Sequence, residues 1–409
     1  MKISYLLGEF GSTGGSIVLY NFMDNLVKRG HEVYAIMTNS SIKWEIGIWK
    51  EIIENKDSVY KRRAIPIMGS LINFYSKNEN IKNLYFFYGL NKLTNGLIKN
   101  WVDSDITIAT WCLTAYAAFY LSDRTVPVYH MQHYEELFFK DKVQRLIARN
   151  TYYLPLIQIS NSKWLQNIIL KKFNQQSQLL NPGIDLDVFK PQDDIENKYK
   201  TKNKWLIVSY FSDILIKGFE DAVQSVELAR KELKKQGIEI EWKIFGLNPP
   251  SKKYTTEFEY VGKIFGHDLA KLYSKADIVL MSSWFESFPL PPLEAMSCGS
   301  LIITTQYGTE DYVFNNENGL VCLPRMPKEM AQKIIYAIKN PDKCLKMVKT
   351  ALQTAESYSW KKRADTLEKL LEESLQKYSV DQFKTFDDIV NGNFKESIYK
   401  EFNLDNTAK

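Results

Sequence analysis

The order of elements in residues 3–37 constrains the fold more than any other feature of the chain. Ile3–Leu7 reads as a buried strand and runs into Gly8-Glu9-Phe10-Gly11-Ser12-Thr13-Gly14-Gly15. Ile17, Leu19, Phe22, Met23, Leu26 and Val27 then recur at helical spacing, Gly30 ends that helix, and His31–Met37 reads as the next strand. Strand, glycine-rich turn, helix, strand is the beginning of a doubly wound α/β domain. The same order restarts near residue 204. Trp205–Tyr210 reads as a strand, Phe211–Gly218 as a loop and Ile238–Phe245 as a second strand. Between them, Phe219–Lys235 is predicted as a helix with Ala222, Val223, Val226, Ala229 and Leu233 on one face. Shorter strands are predicted at Phe258–Val261, Ile278–Met281, Leu301–Thr304 and Leu320–Leu323. The expectation is α/β: two Rossmann-like domains facing across a cleft.

The domain division is expected at 1–195, 196–355 and 356–409, with the boundary in the polar stretch Pro191–Asn203 and the last segment returning to the first domain. Residues 40–100 read as helices and loops. Phe383–Phe402 reads as one added helix and Asn403–Lys409 as a frayed tail. At 409 residues the chain is long enough for two or three domains.

Composition excludes several classes. Cys112, Cys298, Cys322 and Cys344 show no C-x-x-C spacing and no Cys/His cluster, which argues against zinc and for a reducing compartment. There is no secretory signal and no apolar run of membrane-spanning length, so any membrane contact is expected from the side. Net charge is +5. Residues 1–190 hold 22 Lys and Arg against 16 Asp and Glu, hence +6, and the remainder holds 31 against 32, hence −1. That excess is too mild for nucleic-acid binding, but it fits an anionic substrate or an anionic membrane surface. Aromatic residues reach 13%, which suits either sugar-facing surfaces or an aromatic core.

The strongest chemical signal follows the strand Ile278–Met281. It is Glu286-Ser287-Phe288-Pro289-Leu290-Pro291-Pro292-Leu293-Glu294-Ala295-Met296. Pro291 and Pro292 suit the first turn of a helix, where no backbone donor is needed. Glu286 then lies in the loop and Glu294 on the early turns, two carboxylates beside a helix N-terminus able to take an anion. A diphosphate flanked by carboxylates that accept bonds from sugar hydroxyls is a coherent nucleotide-sugar site. The alternative is two capping carboxylates. The glycines at 8, 11, 14 and 15 lack G-x-G-x-x-G spacing, and no acidic residue ends the second strand at Met37–Asn39, which argues against NAD.

Glu-x7-Glu followed by Ala-Met-x-Cys-Gly resembles the signature of glycosyltransferase family 4, the retaining group 1 enzymes of GT-B fold. The resemblance extends over roughly residues 1–375 and is most specific from 204 to 340. It implies donor-sugar contacts for Glu286, ribose contacts for Glu294, and distal-phosphate contacts for backbone amides at Ser287, Phe288 and Leu290; Pro289, where many relatives have Gly, has none to offer. Lys217 would contact the donor diphosphate. Many relatives have an arginine five residues earlier, where this chain has Ser212. Gly14 and Gly15 resemble the loop that approaches phosphate and acceptor. His133, in Pro127-Val128-Tyr129-His130-Met131-Gln132-His133-Tyr134-Glu135, matches the histidine near the anomeric carbon. Gly308 and Glu310 match a donor-side loop, with helix capping an equal reading of Glu310. Asn181-Pro182-Gly183-Ile184-Asp185 resembles the segment before the interdomain link, and Ser359-Trp360 the return to the first domain. Tyr129, Gln132, Tyr134 and Glu135 resemble a pattern of rhamnosyltransferase-like members.

The resemblance implies transfer of a sugar from a nucleoside-diphosphate sugar with retention, with His133, Lys217 and Glu286 catalytic and no metal or other cofactor. It also implies a glycan or lipid-linked acceptor, used in polysaccharide or glycoconjugate synthesis at the cytoplasmic face of a membrane. Phe138–Arg149, with Lys140, Lys142, Arg145 and Arg149 among apolar residues, reads as a helix able to rest on anionic headgroups, or as an ordinary core-packed helix. Two other readings compete with transfer: a catalytically inactive sugar-binding or accessory subunit, and an epimerase or phosphorylase of the same fold. The phosphorylase lacks a recognisable pyridoxal-lysine context.

Overall fold

The structure is a computed structural model that describes residues 1–8, 11, 13–49 and 79–378. Residues 50–78, the helix expected at Phe383–Phe402 and the tail Asn403–Lys409 lie outside the described residues. The chain forms two compact units. The first comprises Met1–Asn161, Leu165–Leu180 and the chain from Ala364 onward; the second comprises Ser162–Trp164 and Asn181–Arg363. The stretch 181–195, assigned to the first domain on composition, therefore packs with the second unit. Its reason is local. Ile184 bridges Ser359 and donates its amide to the Tyr358 carbonyl at 2.8 Å, and Phe189 stacks toward Tyr273. Asn181–Asp185 and Ser359–Trp360 thus meet, and a side chain at Gly183 would lie 2.9 Å from Trp360.

In the first unit the elements run β1 (Lys2–Leu6), α1 (Gly14–Lys28), β2 (Glu32–Ile36), β3 (Ser41–Lys43), α2 (Glu79–Asn100) and β4 (Ile106–Ala109). They continue with α3 (Cys112–Tyr120), β5 (Val126–Met131), α4 (Lys142–Asn150), β6 (Ile157–Ser160), α5 (Lys163–Phe173) and β7 (Gln178–Leu179). The sheet order is β3-β2-β1-β4-β5-β6-β7, parallel except where β3 pairs antiparallel with β2. Ile106–Ala109 and Val126–Met131, apolar but for Thr107 and His130 and buried throughout, are what a sheet covered on both faces by crossover helices requires. Thr13 caps α1 by accepting from the Ser16 amide, and Leu19, Phe22, Met23 and Leu26 are buried along it.

The turn after β5 departs from expectation. No continuous helix covers 138–149. A 3-10 turn occupies Glu135–Phe138, and α4 begins at Lys142 because Asp141 accepts from the amides of Val143 and Gln144 at 2.9 and 3.0 Å. Arg145 and Arg149 point to Glu136, which is only 1% exposed; the Arg145–Glu136 distance is 2.8 Å. Burial alone would raise the Glu136 pKa, but bonds from Arg149 and Tyr134 outweigh it and hold the carboxyl below its ordinary range. Its neighbour Glu135 accepts from the Tyr129 hydroxyl at 2.8 Å, and burial pushes its pKa up to about 7.

In the second unit the elements are β8 (Lys204–Phe211), α6 (Phe219–Lys234), β9 (Glu239–Gly246), β10 (Glu259–Tyr260), α7 (Gly266–Lys275), β11 (Ile278–Leu280) and α8 (Leu290–Ser297). Then come β12 (Leu301–Thr305), β13 (Leu320–Cys322), α9 (Pro327–Lys339) and α10 (Pro341–Glu356), before α11 (Trp360–Lys377), which belongs to the first unit from Ala364 onward. The sheet order is β10-β9-β8-β11-β12-β13, all parallel. Alternation along β8 divides the core between the two faces. Trp205 and Ile207 join Phe219, Trp242 and Ile334, while Val208 joins Phe245, Tyr273 and Leu293. Among the described residues no helix is long and apolar enough to cross a membrane.

The clasp on Glu136 makes a stability prediction. Glu136→Ala takes this carboxylate from Arg149, 19% exposed, and from the Tyr134 hydroxyl, while the half-exposed Arg145 regains water. Urea denaturation should show a loss of about 2–3 kcal/mol, since breaking a buried pair costs 3–5 and the exposed partner discounts it. A loss below about 0.5 kcal/mol, the level of a surface substitution, would show that the clasp carries no stability.

Candidate functional site

Successive strands leave β8 in opposite directions, β9 on one side and β11 on the other. The loops after β8 and β11 therefore diverge around a crevice at the carboxyl edge of the sheet, the position where open parallel sheets take ligands. Ser212–Gly218 follows β8, and Met281–Pro289 follows β11.

Backbone contacts lock these loops together. Gly218 has φ +65° and approaches so closely that a Cβ there would sit 2.0 Å from the Ser282 carbonyl oxygen. Only glycine meets both conditions. The Trp284 amide donates to the Ile216 carbonyl at 2.8 Å, its indole N–H donates to Asp221 at 2.7 Å, and the Ser282 hydroxyl donates to the Lys217 carbonyl at 3.3 Å. Lys217 Nζ consequently lies 2.6 Å from Glu286 Oε1.

Glu286 is fixed from its other side by Gly308. This glycine has φ +96°, and a Cβ would lie 2.3 Å from the Glu286 carbonyl oxygen. The Glu286 amide donates to the Tyr307 carbonyl at 3.3 Å. Glu310 bends back on its own loop and accepts from the Gly308 amide; burial raises its pKa against that bond. No helix begins in this loop, so the carboxylate holds its own turn and caps no helix.

Ser287 and Phe288 turn their side chains inward. Ser287 is 3% exposed and close to Ser162, while Phe288 packs on Tyr312 and Tyr358 at centroid distances of 5.0 and 5.8 Å. Pro289 caps α8, its carbonyl accepts from the Tyr312 hydroxyl at 2.5 Å, and Leu290 is the first helical residue. Glu294 follows on α8. Part of its side chain reaches solvent, yet its carboxylate accepts no hydrogen bond from any described residue, and burial pushes its pKa up to about 8. Ser212 accepts from the Ile214 amide at 3.3 Å and so serves its own turn.

Lys217, Ser212, Glu286, Ser287, Phe288, Leu290, Glu294, Gly308 and Glu310 all belong to the second unit. Gly14, Gly15 and His133 belong to the first. Neither Gly14 nor Gly15 has a positive φ, and a Cβ at Gly15 would make only ordinary contact with Gln132 at 3.8 Å, so the local fold does not itself demand glycine. His133 lies in the turn after β5, its ring 5.1 Å from that of Phe138. His130 is a core residue instead. It is 1% exposed against Phe22, neither ring nitrogen has a partner among the described residues, and burial lowers its pKa to about 3. Sequence reasoning missed the bracing residues Asp221, Ser282 and Trp284, because Ser282 and Trp284 in a short loop after a strand and an Asp in a first helical turn carry no motif of their own. Among the described residues no group of three or more His, Cys, Asp or Glu is arranged to hold a metal ion.

This unit matches a known family. Residues 190–354 fit the model described as glycosyl transferases group 1. Over 107 residues the chain is 33% identical to D-inositol 3-phosphate glycosyltransferase of Corynebacterium jeikeium (strain K411), covering 26% of either chain. The chain thus spans about a quarter of the length of the curated relatives it matches. Sucrose-phosphate synthase from Thermosynechococcus elongatus is similar in structure with a TM-score of 0.69 at 16% identity, covering 92% of this chain and 100% of that one. Anabaena HepE in complex with UDP-glucose is similar with a TM-score of 0.65 at 16% identity and the same coverage. The chain has the GT-B fold, and its residues 190–354 are similar to the group 1 glycosyl transferases.

Proposed function

We propose that this protein is a retaining glycosyltransferase that moves a hexosyl or deoxyhexosyl group from a nucleoside-diphosphate sugar to a hydroxyl of a glycan or lipid-linked acceptor. The observation that carries the reading is one ammonium and two carboxylates, Lys217, Glu286 and Glu294, on adjacent loops and a helix at the carboxyl edge of the second sheet. The bond from the anomeric carbon to phosphate breaks, and the acceptor oxygen bonds to that carbon on the same face. The acceptor proton passes to the departing phosphate oxygen. Lys217 offsets the charge that gathers on the diphosphate, while Glu286 and Glu294 accept from sugar and ribose hydroxyls. Ser287, Phe288 and Leu290 present backbone to the distal phosphate, with Gly308 and Glu310 flanking the donor. Gly14 and Gly15 approach the donor phosphate and the acceptor, and His133 serves near the anomeric carbon and the acceptor. No metal is needed. HepE was solved with UDP-glucose, so uridine donors head the candidates.

The accessory-subunit reading keeps one observation in its favour. Ser212 is turned to its own loop, so Lys217 is the only cation in Ser212–Gly218. A panel of UDP-, GDP- and dTDP-sugars, assayed in EDTA for released nucleoside diphosphate, separates the two. Transfer predicts turnover. It also predicts losses of on the order of 10²–10³ in kcat for Lys217→Ala and Glu286→Ala, and chiefly a raised KM for Glu294→Ala. Donor binding without turnover on any acceptor would favour the accessory role, and near-native kinetics in all three variants would remove the site assignment.

Glu294 adds a pH prediction. With its pKa pushed up to about 8, the carboxyl is largely protonated at pH 6.5 and ionised at 8.5. A ribose diol donates best to the ionised form, and the diphosphate diester of a sugar nucleotide does not titrate in this range. Affinity for the sugar nucleotide should rise about 25-fold between those values, the ratio of the ionised fractions when the bound form has released the proton. Glu294→Gln should flatten the profile; an unchanged slope in that variant would assign the effect to another group.

The proposed setting is the cytoplasmic face of a membrane, reached from the side. Leu137 and Phe138 are 45% and 59% exposed and lie next to Lys140 and Lys142, the two basic residues of this segment not facing Glu136. Sedimentation with phosphatidylserine-containing vesicles at low salt should depend on these four side chains. Binding that survives Leu137→Ser, Phe138→Ser, Lys140→Gln and Lys142→Gln together would put the contact elsewhere.

A further inference from the structure

Lys217 is held by a carboxylate before any other anion reaches it. Its Nζ is 2.6 Å from Glu286 Oε1, and the two side chains are 25% and 17% exposed. The pair is neither loosely screened at the surface nor sealed in the core. Both backbones are pinned independently of the pair, Lys217 through the approach of Gly218 to Ser282 and Glu286 through the approach of Gly308 to its carbonyl. Breaking the contact therefore needs only rotation about side-chain bonds, which the four-carbon stem of lysine allows. The loop Ser212–Gly218 contains no other basic residue, so an incoming diphosphate and Glu286 compete for one ammonium.

Building on the donor-site reading above, we propose that the Lys217–Glu286 pair is a gate that makes sugar recognition conditional on diphosphate binding. Without nucleotide, Glu286 is the counter-ion of Lys217, and its Oε1 and its orientation are withheld from a sugar. A nucleoside diphosphate takes over the ammonium. The released carboxylate then accepts from the hydroxyls of the sugar attached to that diphosphate. Charge is conserved in the exchange, because the ammonium passes from one anion to another and Glu286 turns to neutral donors. A free sugar, with no phosphate to open the pair, finds Glu286 occupied. The device thus selects diphosphate-linked sugars over unlinked ones.

Removal of Glu286 then has an unusual expected sign: it tightens binding of a nucleoside diphosphate that carries no sugar. Calorimetry on the full chain with UDP, GDP and dTDP first identifies the nucleotide that the unmodified protein binds. That nucleotide should bind Glu286→Gln about three- to tenfold more tightly, the scale of one modest ion pair removed as a competitor. Glu286→Ala, a second variant without the amide, should shift the same way. The gain should vanish when either change is made together with Lys217→Ala, and it should shrink for the corresponding sugar nucleotide, which loses its contacts to Glu286. Equal or weaker nucleotide binding in both Glu286 variants overturns the gate and leaves the donor site standing. A gain that persists without Lys217 overturns it as well. Failure of the unmodified protein to bind any of the three nucleotides overturns the donor-site reading and the gate with it.

Discussion

The candidate site depends on a close backbone approach. Gly218 can face the Ser282 carbonyl only because it has no Cβ and accepts φ +65°. That approach draws the loop after β8 against the loop after β11, and the bonds from Trp284 to Ile216 and Asp221 hold them there. Lys217 precedes this glycine and Glu286 follows the braced tryptophan. The ion pair between them is thus a consequence of backbone packing, not the device that creates it. Gly308 repeats the principle on the far side of Glu286. Two glycines at positive φ make the site rigid where it must position charge, and they leave the rotatable side chains as its moving parts.

Much of this was legible before any coordinates. The repeated strand, loop and helix order predicts both sheets, because a buried parallel strand must be apolar on both faces and its crossover helix on one. The observed β8, β9, β11 and β12 lie within a residue of their predicted limits. The short edge strand β3 was not legible, since Ser41-Ile42-Lys43 is too brief and too polar to carry a period. Nor was the start of α4. A run of alternating apolar and basic residues from Phe138 to Arg149 reads as one amphipathic helix until Asp141 is recognised as its cap. The partner of Arg145 and Arg149 is Glu136, close in sequence but on the preceding turn, and no helical spacing points to it.

The two adjacent glutamates of that turn show how burial divides identical side chains. Glu136 meets two guanidinium groups and stays charged, whereas Glu135 meets a tyrosine hydroxyl and a backbone amide and is pushed toward neutrality. Together they fix the Glu135–Phe138 turn from beneath, and this turn presents His133, Leu137 and Phe138. Recognition of His133 by motif is therefore incomplete without the carboxylates that follow it. A histidine of ordinary exposure becomes a defined feature only because the next residues are anchored inside the unit.

The second unit presents a related economy of donors. A helix N-terminus ordinarily offers four free amides to an anion, but in α8 the second and third positions are Pro291 and Pro292, and the cap is Pro289. Prolines suit the start of a helix, yet three of them strip that end of most of its hydrogen-bond donors while leaving its dipole. Ser212 adds no charge and uses its hydroxyl within its own turn. In the donor site proposed above, compensation of a diphosphate would consequently fall on the dipole of α8, the few remaining amides and, within Ser212–Gly218, Lys217. A lone flexible ammonium in such a position would otherwise wander into solvent, where its interaction is weak. Its pairing with Glu286 at 2.6 Å holds it at the crevice instead, so that under the donor-site proposal the carboxylate keeps the one ammonium of Ser212–Gly218 in place for a diphosphate.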